Sequence, residues 1–175
     1  MSGAGNENKE RWVYGARLLS KQIPRATVRM TITYKFHPRL TAGVEYNPGA
    51  DEVAPIANLL LLTETKRRPA LMLGTSSDRI GTPSGQSYYL TLSKNLQRET
   101  GLPVAPYVGV VYGTFQDRFL PVGGVNIRLG KNLSALVTHN GINLHPLLNY
   151  TYNRHAFSLV MVKSKYPGVS YSIAF

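Results

Sequence analysis

Apolar and polar residues alternate along this chain with a period of two far more often than they recur every three or four. Between Ala26 and Phe36 one face carries Val28, Met30, Ile32, Tyr34 and Phe36, and the other carries Arg29, Thr31, Thr33 and Lys35. Successive side chains of an extended strand point to opposite sides, so this pattern is an amphipathic strand. After His37-Pro38-Arg39 the alternation resumes, with Leu40, Ala42, Val44 and Tyr46 opposite Thr41, Gly43 and Glu45. Asn47-Pro48-Gly49 then breaks it, since Pro presets one turn dihedral and Gly accepts positive φ.

The same reading predicts strands over 11–19, 56–64, 70–75 and 87–94, with Lys66-Arg67-Arg68-Pro69 joining the middle pair and a Gly/Ser/Pro-rich loop over 78–86. A helix over Ser84 to Leu96 fits less well, because Tyr88, Leu90 and Leu92 alternate rather than wrap. The second half predicts strands over 106–115, 120–130, 132–139, 147–153, 156–164 and 168–175. Their connections are short (Gln116-Asp117-Arg118, Gly130-Lys131-Asn132, Asn153-Arg154 and Tyr166-Pro167-Gly168), and short connections make hairpins. The expected fold is all-β: an antiparallel up-and-down meander of about 10–12 strands, closed into a barrel. Residues 1–10 are expected to be a flexible polar segment and 11–175 a single barrel domain.

An amphipathic strand does not say which face is inside, but the composition of its polar face does bear on it. A soluble sandwich would crowd that face with charge. Here it is mostly small and uncharged, as at Thr31, Thr33, Gly43, Gly109, Ser134, Asn149, Ser158, Ser170 and Ser172. Scattered among these are Arg29, Lys35, Glu45, Glu64, Arg128 and Lys163, which are assigned to the hydrated lumen of a narrow barrel. The apolar face is aliphatic, with aromatics toward strand ends at Tyr34, Phe36, Tyr46, Tyr112, Phe115, Tyr150, Tyr152 and Phe157, as in the girdles of a membrane barrel. The opposite assignment, with those aromatics inside a soluble barrel, makes Val28, Met30, Ile32 and Val110 interior residues.

The last residues, Val169, Tyr171, Ile173 and Phe175, share one face. This segment resembles the terminal strand of small bacterial outer-membrane β-barrel proteins, which ends in an aromatic residue. The likeness covers about the last eight residues specifically and the rest of the chain only in its alternation. It implies that these four residues form a signal for barrel-assembly machinery and that the chain resides in the outer membrane. Two features depart from the family: Met1 to Glu10 lacks the apolar stretch of a secretory signal, and several expected strands are short for a span of about 9–11 residues. A mature form carrying an added Met, or a cytoplasmic protein, fits that amino terminus.

Composition sharpens the choice. Charged residues make up 17% of the chain, against roughly 25% in an ordinary soluble domain. The net charge is nevertheless +11, which favours anionic partners. Lys66, Arg67 and Arg68 are the expected contacts with an anionic partner, through the phosphates of lipid or of nucleic acid. A solvated turn that guards a sheet edge is the alternative role for such a cluster. There is no cysteine, which excludes disulfides and thiolate metal sites. No apolar run reaches the length of a membrane-crossing helix, and Leu59 to Leu62 is strand-sized.

His37, His139, His145 and His155 fall near expected strand ends or turns and form no metal-ligand pattern. They are read as solvated. Gly81-Thr82-Pro83-Ser84-Gly85 displaces its serine from the central position of a nucleophile elbow. His155 and Ser158, three residues apart on a strand, project to opposite faces and cannot form a dyad. The expectation is therefore a non-enzymatic protein without cofactor or metal: an outer-membrane barrel with a structural, adhesive or narrow-pore role. The alternative is a soluble basic barrel or sandwich binding an anionic or protein partner. Nucleic acid is a weaker partner, since only Tyr34 beside Lys35 and Tyr166 beside Lys165 pair an aromatic with a cation.

Overall fold

The computed structural model describes residues 10–20 and 24–175. Among these residues twelve antiparallel strands follow one another: β1 (Trp12–Leu19), β2 (Val28–His37), β3 (Leu40–Asn47), β4 (Glu52–Leu62), β5 (Ala70–Ser77), β6 (Gln86–Ser93), β7 (Val104–Gly113), β8 (Arg118–Arg128), β9 (Leu133–His139), β10 (Leu144–Tyr152), β11 (His155–Val162) and β12 (Tyr166–Ala174). Each pairs with its sequence neighbours, and β1 also pairs with β12, so the meander closes into a barrel with no free edge. Phe175 completes the seam. Its N–H donates to the Trp12 carbonyl at 2.9 Å, and its own carbonyl accepts from the N–H groups of Arg11 and Trp12.

Among the described residues two single helical turns interrupt the strands, α1 (Pro24–Thr27) and α2 (Gln97–Thr100). The alternation that suggested a strand from Ala26 onward begins at Val28 instead, because Ala26 and Thr27 belong to α1. A 3-10 turn at Pro48–Ala50 occupies the predicted Asn47-Pro48-Gly49 break. The expectation for residues 1–10 lies outside the described residues except at Glu10, whose carboxylate pairs with Arg154 at 2.6 Å.

Register decides which side chains face in. Opposite one another on the outer surface stand Ile32 and Val44, Leu90 and Val110, Leu148 and Leu159. Met30, Ile32, Leu90 and Val110 are all exposed, at 38–40%. Inside, among the described residues, the buried hydrophobics are only Leu19, Ala26, Ala54, Val160 and Val162. Four of these cluster at one end, with Ile80, Leu147 and Tyr166 packed against them. By register the inward positions are mostly small or polar, with Leu60, Val111, Leu120 and Leu136 among them, and the outward positions are mostly apolar. Small inward residues allow its tight curvature: a Cβ on Gly43 would stand 1.9 Å from the Ile32 carbonyl oxygen, and one on Gly109 would stand 2.2 Å from that of Leu90. Backbone cannot yield as a flexible side chain can, so both positions require glycine.

Candidate functional site: a polar lumen latched at one mouth

The two mouths of the barrel differ. The α1 segment and the loops 48–51, 78–85, 114–117, 140–143 and 163–165 surround one, here called the latched mouth. The chain end and the loops 38–39, 63–69, 94–103, 129–132 and 153–154 surround the other, the terminal mouth.

Arg25 makes the latch. It is 3% exposed, on a turn that reaches across to the 78–85 loop. Its Nε donates to the Thr82 carbonyl at 2.9 Å, its Nη2 to the Asp78 carbonyl at 2.8 Å and to Thr82 Oγ1 at 2.6 Å, and its Nη1 to the Gly85 carbonyl at 3.2 Å. The Thr82 hydroxyl passes its own proton to the Arg79 carbonyl at 2.9 Å. Glu52 stands 3.5 Å from Nη1 and supplies the countercharge. A rigid planar fork with five donors suits this multiple capture of carbonyl oxygens.

Between this latch and the middle of the barrel lies a cavity of about 450 Å³. Arg17 and Arg29 from β1 and β2, Ser76 and Ser77 from β5, His145 from β10 and Ser170 and Ser172 from β12 line it, with Asp78 and Arg79 from the loop. Glu45, fully buried, is saturated. Arg29 donates to its Oε2 through both Nε and Nη2, while Ser77 N–H and Asn47 Nδ2 donate to Oε1 at 3.1 and 3.4 Å. Burial holds the Arg79 guanidinium below its ordinary range, opposed by the neighbouring Asp78 carboxylate. Further along the lumen, Tyr89 donates to Asn58 Oδ1 at 2.7 Å, and Tyr107 bonds to Thr138 across β7 and β9.

Among the six charged residues assigned to the lumen from sequence, Arg29, Lys35, Glu45 and Arg128 lie on the inward face by register. Arg29 and Glu45 meet; Lys35 and Arg128 stand apart from them, near the terminal mouth. Glu64 lies elsewhere, two residues beyond the end of β4, exposed and 3.9 Å from Lys94. Lys163 likewise sits in the β11–β12 turn with φ of 54°, exposed. In both cases the strand ends sooner than the alternation does, which moves the residue from the lumen to a rim.

Lys66, Arg67 and Arg68 are exposed at the terminal mouth. Lys94 braces their loop, its Nζ donating to the carbonyls of Thr65 and Lys66. Val169, Tyr171 and Ile173 share the outer face of β12, and Phe175 follows just past the strand, half-exposed. Sequence reasoning missed Arg17, Arg25 and His145. Arg17 faces inward opposite Arg29 and Ser170. His145 is no solvated turn residue; it is the second residue of β10 and 4% exposed. His155 and Ser158 do stand on opposite faces of β11, with the His155 ring bonded to the Tyr171 hydroxyl at 2.8 Å.

Among the described residues no group of three or more His, Cys, Asp or Glu side chains is placed to hold a metal ion, and no helix is long and apolar enough to cross a membrane. The chain matches no family model, no curated protein and no solved structure.

Proposed function

We propose that this chain is a bacterial outer-membrane β-barrel, non-enzymatic, with a structural or narrow-pore role. One observation carries the reading: by register, no Lys, Arg, Asp or Glu stands on an outward strand position among the described residues. A chain with 20 Lys and Arg that met water on this face would place some of them there.

The aromatics are banded as two interfaces require. Trp12, Tyr34, Phe36, Tyr150, Tyr152 and Phe157 ring the terminal mouth, and Tyr46, Tyr88, Tyr112 and Phe119 ring the latched mouth. Tyr46 and Tyr112 direct their hydroxyls to Asp51 and Asp117 in the rim turns, keeping the polar tip at the edge of the apolar band. Height fits as well. The strands run from 7 residues in β9 to 11 in β4 and β8. A nine-residue strand at about 3.3 Å per residue and a tilt near 40° rises about 23 Å, close to the apolar band of about 25 Å in such barrels.

The partners that follow are the bilayer, anionic headgroups at Lys66, Arg67 and Arg68, and barrel-assembly machinery reading the outward terminal strand. Fractionation of cells expressing the chain tests the reading. Extraction only with detergent, together with heat-modifiable migration on a gel, is expected. A monodisperse β-rich protein in detergent-free buffer overturns it.

A further inference from the structure

We propose that the lumenal cavity is a binding site for a small oxyanion, of the phosphate or carboxylate class, held between Arg17 and His145. The charges around the cavity do not balance among the described residues. Arg29 is neutralised by Glu45, and Arg25 by Glu52. The Asp78 carboxylate beside Arg79 is already taken, accepting the Arg79 N–H at 2.7 Å and the Phe115 N–H at 3.3 Å. Arg17 has no such partner: its Nε is buried without any hydrogen bond, and no carboxylate lies within ion-pair distance of it among the described residues. Arg17 is half-buried in the lumen wall, and an uncompensated guanidinium with a buried, unbonded Nε gains from an anionic partner.

His145 supplies a second donor by an independent route. Its Nδ1 accepts the Lys163 N–H at 3.2 Å, so that nitrogen bears no proton and the neutral ring carries its hydrogen on Nε2. Nε2 is buried and has no acceptor. Arg17 and His145 line the same cavity and lie within electrostatic reach of each other. The site thus offers spare donors, one of them cationic, while the nearby carboxylates are committed. An acceptor-only ligand completes it, and an oxyanion is such a ligand. Ser170 and Ser172 add hydroxyls to the wall, and the volume of about 450 Å³ admits a phosphate or small carboxylate with its remaining water.

The site depends on the barrel interior and not on what surrounds the barrel, so it stands apart from the membrane reading. The test is thermal unfolding of the folded protein with inorganic phosphate, with acetate, and with chloride at matched ionic strength. A saturable rise of the midpoint with phosphate or acetate beyond chloride is expected, and the stronger of the two names the ligand class. Arg17→Gln should weaken the rise at least tenfold while leaving its own ligand-free midpoint unchanged or higher, because the substitution removes an unpaired charge. A role confined to structure would instead lower that midpoint. His145→Leu should weaken the rise as well, and broadening of the phosphorus-31 resonance of free phosphate by the unaltered protein reads binding without any variant. The proposal is overturned if neither anion acts beyond chloride, or if Arg17→Gln retains the effect within twofold. Water solubility of the chain would sink the membrane reading and leave this result intact.

Discussion

Placing one charge at mid-height on the outer face separates a lipid-facing surface from a water-facing one. Val110 lies toward the middle of β7, 39% exposed, between Leu90 of β6 and Pro121 of β8 on the same face. Val53, second in β4 beside the latched rim, is 67% exposed. In water both are surface positions, and Val110→Arg and Val53→Arg should each stay within about 0.5 kcal/mol of the parent. Against lipid, an arginine at the midplane costs about 2–4 kcal/mol, and one near the interface about 0–1. The two variants should then differ by about 2–3 kcal/mol, or roughly 30- to 150-fold in the folding equilibrium. Urea titration in phosphatidylcholine vesicles measures this, followed by the emission of Trp12, the single tryptophan. Trp12 sits on the outer face at the opposite rim, away from both substitutions. Equal midpoints and slopes for the two variants, with both barrels folded, would refute the reasoning.

The latch yields a second expectation. Arg25→Met should lower stability by about 3 kcal/mol, because it leaves the carbonyls of Asp78 and Thr82 buried without their donor, and limited proteolysis should newly cut within 78–85. A third concerns the basic rim: replacing Lys66, Arg67 and Arg68 with Gln should weaken association with vesicles containing anionic lipid by about 1 kcal/mol per charge. That loss should vanish on neutral vesicles and in high salt, and its persistence there would count against headgroup contact.

Strand existence was legible almost everywhere, because the alternation is set by a solid geometric fact: inward and outward environments differ on every strand. Strand beginnings were less legible, and proline is the reason. The expected starts at 56, 147 and 168 each fall just after a proline, whereas β4, β10 and β12 begin at Glu52, Leu144 and Tyr166 and run through Pro55, Pro146 and Pro167. Each of these prolines points outward, paired with Val44, Val137 or Met161. Proline gives up one ladder hydrogen bond but adds apolar surface to the outer band, a balance the usual strand-breaker rule ignores. His145 was misread through the same cause, since Pro146 made it look like a turn. Arg25 was illegible for a different reason. Nothing local in Pro24-Arg25-Ala26-Thr27 marks a helical turn; it is held by carbonyls more than fifty residues away.

The distribution of apolar surface bears on what holds this molecule together. A soluble domain of this length gains most of its stability by removing large aliphatic side chains from water. Here the buried hydrophobics among the described residues are two alanines, two valines and one leucine, gathered mainly at the latched mouth, while Val108, Leu159 and Phe119 are 60–71% exposed. Half-buried inward residues such as Val111, Leu120 and Leu136 add to this interior, yet so few fully buried side chains give little to set against the conformational entropy of ordering so long a chain. Backbone pairing does not fill the gap in water, where each ladder bond nets little because it replaces bonds to solvent. In hydrocarbon the same ladder becomes obligatory, since an unpaired N–H or C=O has no water to turn to, and closure through the β1–β12 seam leaves no unpaired edge. The outer aliphatics then need no interior to be sequestered. A closed sheet serves in either medium, but a small polar lumen and a charge-free outer face are each unhelpful to stability in water, and each becomes favourable once the barrel is surrounded by lipid.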